Sequence, residues 1–176
     1  MKAVFLDRDG TVTIGTPIYE RVDSLEKVQL LPETLDALRL LAALDYKVFL
    51  VTNQSGFSEG LITWDDFDAI NDKILGLIAP SGITITETYV CPHSEEDNCE
   101  CRKPKPKLLL DAAAKYDIDL AQSWMIGDRP SDVMTGVNAG AKGILVKTGV
   151  PTVTSDHATH TADTLLDAVR YIAEHS

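Results

Sequence analysis

The sequence has no apolar run approaching the ~20 residues that span a bilayer. It is also poor in basic residues, with 16 Lys and Arg against 27 Asp and Glu and a net charge of −11. The first absence excludes a membrane-spanning protein, and the second disfavours a general binder of nucleic acid or anionic membrane, since both need a basic surface. The acidic Asp7 comes too early for a secretory signal peptide. We therefore expect a soluble cytoplasmic monomer that binds neither nucleic acid nor membrane.

Cysteine is scarce as well, and its three copies are confined to one short segment. Cys91, Cys99 and Cys101 form the pattern Cys-x-His-x₅-Cys-x-Cys together with His93. Four such ligands at this spacing match a tetrahedral Cys₃His zinc site, and the polar residues between them cannot form a core of their own. The pattern predicts a structural zinc loop. Reduced thiols beside a surface histidine, or one disulfide with a spare cysteine, are the alternatives.

The length and composition indicate a globular α/β protein. With 176 residues, of which 44% are hydrophobic and 24% charged, the chain is expected to form a single domain over residues 1–176. Short apolar runs predict strands over residues 3–6, 48–51, 85–90, 124–126 and 143–146. Apolar spacings of three and four predict helices from Pro32, after a Thr63 cap, from Leu108, from Pro130 and from Thr161, with 152–160 as a loose connection. This alternation predicts a doubly wound, Rossmann-like parallel sheet.

Polar side chains follow three of the predicted strands: Asp7, Thr52 and Asp128. Ligands of open parallel sheets bind beyond the carboxyl ends of the strands, so these residues are expected to converge. Local structural roles are the alternatives. The Thr52 hydroxyl could satisfy a nearby backbone group, and Asp128 could cap the helix that begins at Pro130.

The segment Asp7-Arg8-Asp9-Gly10-Thr11 places two carboxylates close together at the end of the first strand. Like charges that close repel each other and need a cation or a proton between them. Mg²⁺ prefers oxygen ligands and commonly takes one or two carboxylates plus phosphate oxygens. The segment therefore predicts a magnesium-dependent phosphate site, with a surface acidic turn as the alternative.

A basic segment follows the cysteine loop and reverses the charge of the chain locally. Residues 102–107 hold four of the 16 basic residues. Such a run is usually a solvated face. Here prolines keep it extended and zinc would fix its start, which favours phosphate binding by the Arg102 guanidinium and the Lys103 ammonium.

These motifs together resemble the haloacid dehalogenase-like phosphatase superfamily over roughly residues 2–150. Its Asp-x-Asp-x-Thr motif is matched by residues 7–11, its strand-end Ser or Thr by Thr52, its lysine by Lys103 and its acidic pair by Asp128 with Asp132. The resemblance implies the fold of that superfamily and hydrolysis of phosphate monoesters.

The resemblance also implies roles for individual residues. Asp7 would attack phosphorus to form an aspartyl-phosphate, and Asp9 would act as general acid and then general base. Mg²⁺ would be held by the Asp7 side chain, the Asp9 backbone carbonyl and the Asp128 side chain. Thr52 and Lys103 would bind the phosphoryl oxygens, and Asp132 would orient the site or pair with Lys103.

The cysteine loop and the basic segment narrow the resemblance to a zinc-containing branch. That branch holds D-glycero-D-manno-heptose 1,7-bisphosphate 7-phosphatases and histidinol-phosphate phosphatases. Residues 51–56 and 145–149 favour the heptose enzymes, whereas Glu59 stands where many of those have an arginine and could meet an amine instead. No insertion is long enough for a large cap domain. The substrate is expected to be a small phosphorylated metabolite. Its expected contacts are Thr52, Asn53, Glu59, Arg102, Lys103, Lys105, Arg129 and the 14–22 loop.

Two other functions fit the same motifs. A phosphotransferase of the same fold would pass the phosphoryl group to another alcohol. A zinc-stapled binding protein would have lost catalysis, but Asp7, Asp9, Thr52, Lys103 and Asp128 are all present. No Gly-x-x-x-x-Gly-Lys-Ser/Thr loop supports a nucleotide-dependent kinase.

Overall fold

A computed structural model of the chain describes residues 1–15 and 22–175. Within that part, strands and helices alternate along the chain. The strands are β1 (Ala3–Leu6), β2 (Lys47–Asn53), β3 (Ile85–Cys91), β4 (Trp124–Gly127), β5 (Lys142–Val146) and β6 (His160–Ala162). The helices are α1 (Thr34–Ala42), α2 (Trp64–Ile78), α3 (Lys107–Tyr116), α4 (Pro130–Ala139) and α5 (Leu165–Glu174).

The six strands form one sheet in the order β3-β2-β1-β4-β5-β6, and every pairing is parallel. β1 lies at the centre, where Phe5 is in register with Phe49 of β2 and with Met125 of β4. The chain leaves β1 toward β2 and later returns to add β4 on the other side. This reversal is the switch point at which doubly wound sheets bind ligands. The predicted fold class, a doubly wound parallel α/β sheet, is confirmed.

Both faces of the sheet are covered, which explains the unbroken apolar runs of the strands. On one face, Val4 and Leu6 of β1 pack in a core with apolar side chains of α1, α2 and α5. On the other face, Ala3 and Phe5 pack with Met125 and with Leu109 of α3. The carboxyl ends of the strands are thereby fixed on a rigid support, and the polar residues that follow them are held in place.

Two helix starts differ from the sequence predictions. The helix expected from Pro32 begins at Thr34, because Glu33 takes a left-handed conformation (φ 64°) and Thr34 donates a hydrogen bond to the Val12 carbonyl. The helix expected from Thr161 begins at Leu165. Residues 160–162 instead form β6 along β5, and Thr164 caps α5 by accepting a hydrogen bond from the Asp167 N–H.

The capping prediction at Thr63 is confirmed. Its hydroxyl accepts from the Asp66 N–H at 3.2 Å, and the Asp66 carboxylate accepts from the Thr63 N–H at 2.8 Å. This reciprocal pair is a capping box, and it fixes the start of α2 beyond the loop that leaves β2.

Candidate active site

Three carboxyl groups from different parts of the chain meet at the switch point. Asp7 follows β1, Asp128 follows β4, and Asp132 lies in the first turn of α4. One oxygen of each lies within 4.8 Å of the others, and all three residues are buried. Asp7 and Asp128 therefore lie close together, as predicted, and Asp132 lies beside them.

Lys103 supplies the positive charge at this cluster. Its Nζ lies 2.5 Å from Asp7 Oδ1, 2.7 Å from Asp132 Oδ1 and 3.0 Å from the Val51 carbonyl oxygen. Burial disfavours the ammonium, but the carboxylates of Asp132 and Asp7 outweigh that effect and raise the pKa of Lys103 above its usual range. The lysine is therefore a fixed cation beside Asp7.

The single positive charge of Lys103 does not balance the three buried carboxyl groups of Asp7, Asp128 and Asp132. The pKa values of Asp7 and Asp128 are raised as a result. Burial and the charges of Asp132 and Asp128 raise the pKa of Asp7 well above its ordinary value, although Lys103 opposes the rise. Burial, together with Asp132, raises the pKa of Asp128 to about 6. Both shifts mean that the ionised cluster is short of positive charge.

Asp128 sits in a slot made by glycines of two other loops. A Cβ on Gly10 would lie 2.6 Å from Asp128 Oδ2, and a Cβ on Gly149 would overlap the same oxygen. The Asp128 side chain is 3% exposed, and its Oδ1 has no hydrogen-bond partner. An orphaned carboxylate oxygen beside Asp7 is what a hard cation requires, so the donor set fits Mg²⁺.

Asp128 is not the cap of α4. The cap position is held by Arg129, whose N–H donates to Asp132 Oδ2 at 3.0 Å. One oxygen of Asp132 therefore caps the helix and the other contacts the Lys103 ammonium. Asp128 has no capping role and lies beside Asp7 in the acidic cluster. The pairing of Asp132 with Lys103 agrees with the expectation from the sequence.

Asp9 is held apart from this cluster by four donors. Oδ1 accepts from Arg8 Nε at 2.9 Å and Thr13 Oγ1 at 3.0 Å; Oδ2 accepts from Arg8 Nη2 at 2.8 Å and Gln54 Nε2 at 2.9 Å. Burial alone would raise the pKa of Asp9, but the Arg8 guanidinium and these hydrogen bonds lower it below its usual value. In this arrangement Asp9 is an anion with its lone pairs occupied.

Sequence reasoning did not assign a role to Arg8 or Gln54. The Arg8 side chain is fully buried, and its guanidinium lies 5.5 Å from the Phe67 ring centroid. In the sequence, only its position between Asp7 and Asp9 could have indicated a role for Arg8.

Thr52 and Asn53, at the end of β2, point to different partners. The Thr52 hydroxyl accepts a hydrogen bond from Gln54 Nε2 at 2.8 Å, so the expected alternative of a local backbone partner is not observed. Asn53 Oδ1 accepts from the Lys103 N–H at 3.1 Å, and its Nδ2 donates to the Lys103 carbonyl at 3.4 Å. Asn53 therefore fixes the backbone of Lys103.

The four predicted zinc ligands form one compact cluster. The Sγ atoms of Cys91, Cys99 and Cys101 lie 3.0–3.6 Å apart, and His93 Nδ1 lies 3.3 Å from Cys101 Sγ and 3.7 Å from Cys91 Sγ. A tetrahedral zinc with bonds of about 2.3 Å separates its sulfur ligands by about 3.8 Å. All three cysteines are free, which excludes the disulfide alternative for this structure. The donor set fits zinc.

The acidic cluster and the cysteine loop line the same cavity, of about 670 Å³. Arg102, Lys105 and Arg129 are among its lining residues. Arg102 Nη1 donates to the His93 carbonyl at 3.0 Å, and Lys105 Nζ donates to the Cys99 carbonyl at 2.5 Å. The cysteine loop thus holds two cations at the cavity that the acidic cluster also lines.

Two expected specificity features remain predictions. Glu59 is exposed and is not among the described residues that line the cavity. Of the 14–22 loop, Gly15 lines the cavity, and residues 16–21 lie outside the described part of the chain. In the described ranges, no helix has the length and apolar character needed to cross a membrane.

The chain is similar in sequence to a family of phosphatases. A family model described as HAD-hydrolase-like matches residues 100–171. D-glycero-beta-D-manno-heptose-1,7-bisphosphate 7-phosphatase from Helicobacter pylori strain J99 is 39% identical over 151 residues, which cover 85% of each chain. The enzyme of the same name from Escherichia coli K12 is 33% identical over 176 residues, covering 95% of this chain and 89% of that protein.

Structural similarity agrees with the sequence matches. The crystal structure of D,D-heptose 1,7-bisphosphate phosphatase from B. bronchiseptica, complexed with magnesium and phosphate, superposes with a TM-score of 0.90, 32% identity and full coverage of both chains. The chain therefore belongs to the D-glycero-β-D-manno-heptose-1,7-bisphosphate 7-phosphatase family of haloacid dehalogenase-like phosphatases.

Proposed function

We propose that the chain removes the phosphate group at C7 of D-glycero-β-D-manno-heptose 1,7-bisphosphate, as the names of its relatives describe for those enzymes. The observation that carries the proposal is one cavity lined both by the Asp7–Lys103 pair and by three further cations, Arg102, Lys105 and Arg129. One phosphate of a bisphosphate would react at Asp7 while the other is held by the cations.

Asp7 is the nucleophile in this proposal. Its carboxylate bonds to phosphorus as the bond from phosphorus to the sugar oxygen breaks, and water later hydrolyses the aspartyl-phosphate. Lys103 neutralises charge on Asp7 and on the phosphoryl oxygens, and the Thr52 hydroxyl binds one of those oxygens. Asn53 supports the step by holding the Lys103 backbone.

Asp9 is the general acid and base. It donates a proton to the leaving sugar oxygen in the first step and takes one from the attacking water in the second. Arg8 holds the pKa of Asp9 below its usual value in this arrangement, so the acid step would require a weaker Arg8–Asp9 ion pair in the substrate complex.

Magnesium is the proposed cofactor at the acidic cluster. The Asp7 and Asp128 side chains and the Asp9 backbone carbonyl would hold it, which is supported by the orphaned, buried Asp128 Oδ1. When bound, the ion screens the negative nucleophile from the negative phosphate.

Zinc is the proposed occupant of the cysteine cluster, in a structural role. Cys91, His93, Cys99 and Cys101 use all four tetrahedral positions, which leaves none for substrate. The zinc loop would act on the substrate through Arg102 and Lys105, whose cationic groups are bonded to carbonyls of that loop.

Phosphorus NMR tests the proposal directly. Incubation of the heptose bisphosphate with enzyme and Mg²⁺ is expected to release inorganic phosphate from C7 and to leave the C1 phosphate intact. Histidinol phosphate is the competing substrate, and a higher kcat/KM for it would contradict the assignment. Asp7→Asn is expected to abolish turnover of both, and substantial residual activity would rule out covalent catalysis at this carboxylate.

A further inference from the structure

The side-chain amide of Gln54 connects two groups that the proposed reaction uses. Its Nε2 lies 2.9 Å from Asp9 Oδ2 and 2.8 Å from Thr52 Oγ1. A carboxylate only accepts hydrogen bonds, so the nitrogen of the amide must face Asp9, and the two N–H groups then serve the two partners. The Gln54 side chain is 5% exposed and lines the cavity.

We propose that Gln54 is a positioning residue that sets the acid–base carboxyl of Asp9 and the phosphate-binding hydroxyl of Thr52 in one fixed geometry. The inference rests on the proposed function, because it assigns Gln54 to the same site and the same reaction.

The contact with Thr52 determines where the threonine proton points. A hydroxyl carries one proton and two lone pairs. When one lone pair accepts from the Gln54 amide, the O–H is directed away from that amide. Thr52 lines the cavity, and in the proposed reaction its O–H is the donor to a phosphoryl oxygen bound there. Without the amide, the hydroxyl is free to rotate and to donate elsewhere.

The contact with Asp9 completes the set of donors that holds this carboxylate. Arg8 donates to both oxygens through Nε and Nη2, at 2.9 and 2.8 Å. Gln54 Nε2 donates to Oδ2 at 2.9 Å, and it is the donor that also contacts Thr52. Gln54 therefore fixes the Asp9 carboxyl relative to the Thr52 hydroxyl, which Arg8 does not contact.

The backbone holds Gln54 for this task. Its N–H donates to the Cys91 carbonyl at 2.8 Å, at the point where β2 and β3 end together. The preceding residue, Asn53, directs its amide to Lys103 instead. Adjacent amides thus support the two halves of the site, Asn53 the lysine and Gln54 the acid–base group.

The leaving group distinguishes this role from a structural one. A sugar alkoxide needs a proton as it departs, whereas p-nitrophenolate leaves without one. The comparison uses kcat/KM, which reports the first step and leaves out the second step, where Asp9 acts as base for both esters. For Gln54→Met, which keeps the length but removes both N–H groups, kcat/KM for the heptose bisphosphate is expected to fall about 10²-fold. For p-nitrophenyl phosphate, which loses the Thr52 contact but needs no acid, kcat/KM is expected to fall about tenfold or less. Gln122→Met is the matched control. It removes an exposed amide that bonds to Asp119 outside the site, and it is expected to change neither rate.

The outcomes separate the inference from the proposed function. Equal losses with both esters, or no loss with either, would overturn the role of Gln54 while leaving the phosphatase assignment intact. A wild-type chain inactive toward both esters would overturn the proposed function and the inference with it. Gln54→Leu, which also lacks both N–H groups and adds no charge beside Asp9, is expected to show the same selective loss, and melting temperatures of both variants establish that they are folded.

Discussion

The Nζ atom of Lys103 lies 2.5 Å from Oδ1 of Asp7, although the two residues are 96 positions apart. The lysine comes from the segment that leaves the cysteine loop, and the aspartate from the end of β1. Their contact joins two regions with separate predicted metal sites. The cysteine loop is therefore followed directly by the cation that lies beside the proposed nucleophile.

Replacing Lys103 with methionine is expected to lower kcat by about 10²–10³-fold, the usual effect of removing one group that stabilises a transition state. It also leaves Asp7 and Asp132 without their cation, so the melting temperature is expected to fall. Steady-state kinetics and thermal unfolding measure the two effects. Lys107→Met is the matched control, because Lys107 pairs with Asp111 on the surface, where an ion pair contributes little. A Lys103→Met enzyme with kcat near that of the control would contradict the role assigned to Lys103.

Gly149→Ala is expected to weaken Mg²⁺ binding by about tenfold or more, since its Cβ would displace the Asp128 carboxylate from its slot. Isothermal titration with Mg²⁺ in the absence of substrate measures the change without relying on activity. Gly76→Ala is the control: nothing lies within 4 Å of its added Cβ, and the residue is in the interior of α2. An unchanged Mg²⁺ affinity in Gly149→Ala would show that Asp128 is not the ligand constrained by this loop.

The raised pKa of Asp128 gives a pH dependence with a definite sign. A carboxyl group with a folded-state pKa of about 6, above its unfolded value of about 4, destabilises the metal-free protein as the pH rises through that interval. A bound cation favours the ionised form and opposes this loss. Mg²⁺ is therefore expected to raise the melting temperature more at about pH 7.5 than at about pH 5. Asp128→Asn is expected to diminish the difference, and an equal rise at both pH values in the wild type would contradict the prediction.

The sequence predicted those parts of the fold that depend on local pattern and topology. Unbroken apolar runs predicted the central strands, and the rule that ligands bind beyond the carboxyl ends of parallel strands predicted that Asp7 and Asp128 lie together. β6 was missed because it has only three residues, and two of them, His160 and Thr161, are polar. Its pairing with β5 stabilises it, which a local pattern does not reveal.

The finer contacts of the site depend on side-chain directions, which spacing does not determine. Asn53 was expected to bind substrate; it lines the cavity, and its side-chain amide is hydrogen-bonded to the Lys103 backbone. Glu59 was expected to select the substrate; it is exposed and is not among the described residues that line the cavity. Both substrate contacts stay predictions. In both cases the resemblance predicted the position of a residue in the chain, whereas the local backbone decides which way its side chain points.

Removal of zinc is expected to weaken substrate binding and loosen the cysteine loop, because the polar residues of that loop have no core to hold them. Protein purified without chelator should contain about one equivalent of zinc, and less than about half an equivalent would contradict the zinc assignment.

In His93→Ala, the melting temperature should fall and KM for the bisphosphate should rise, since Arg102 and Lys105 are bonded to carbonyls of this loop. His157→Ala is the matched control, as His157 is exposed in the connection before β6. Because Asn53 independently holds the Lys103 backbone, kcat is expected to fall less than kcat/KM. A loss confined to kcat would mean that the loop acts through Lys103 and Asp7 rather than through the second phosphate.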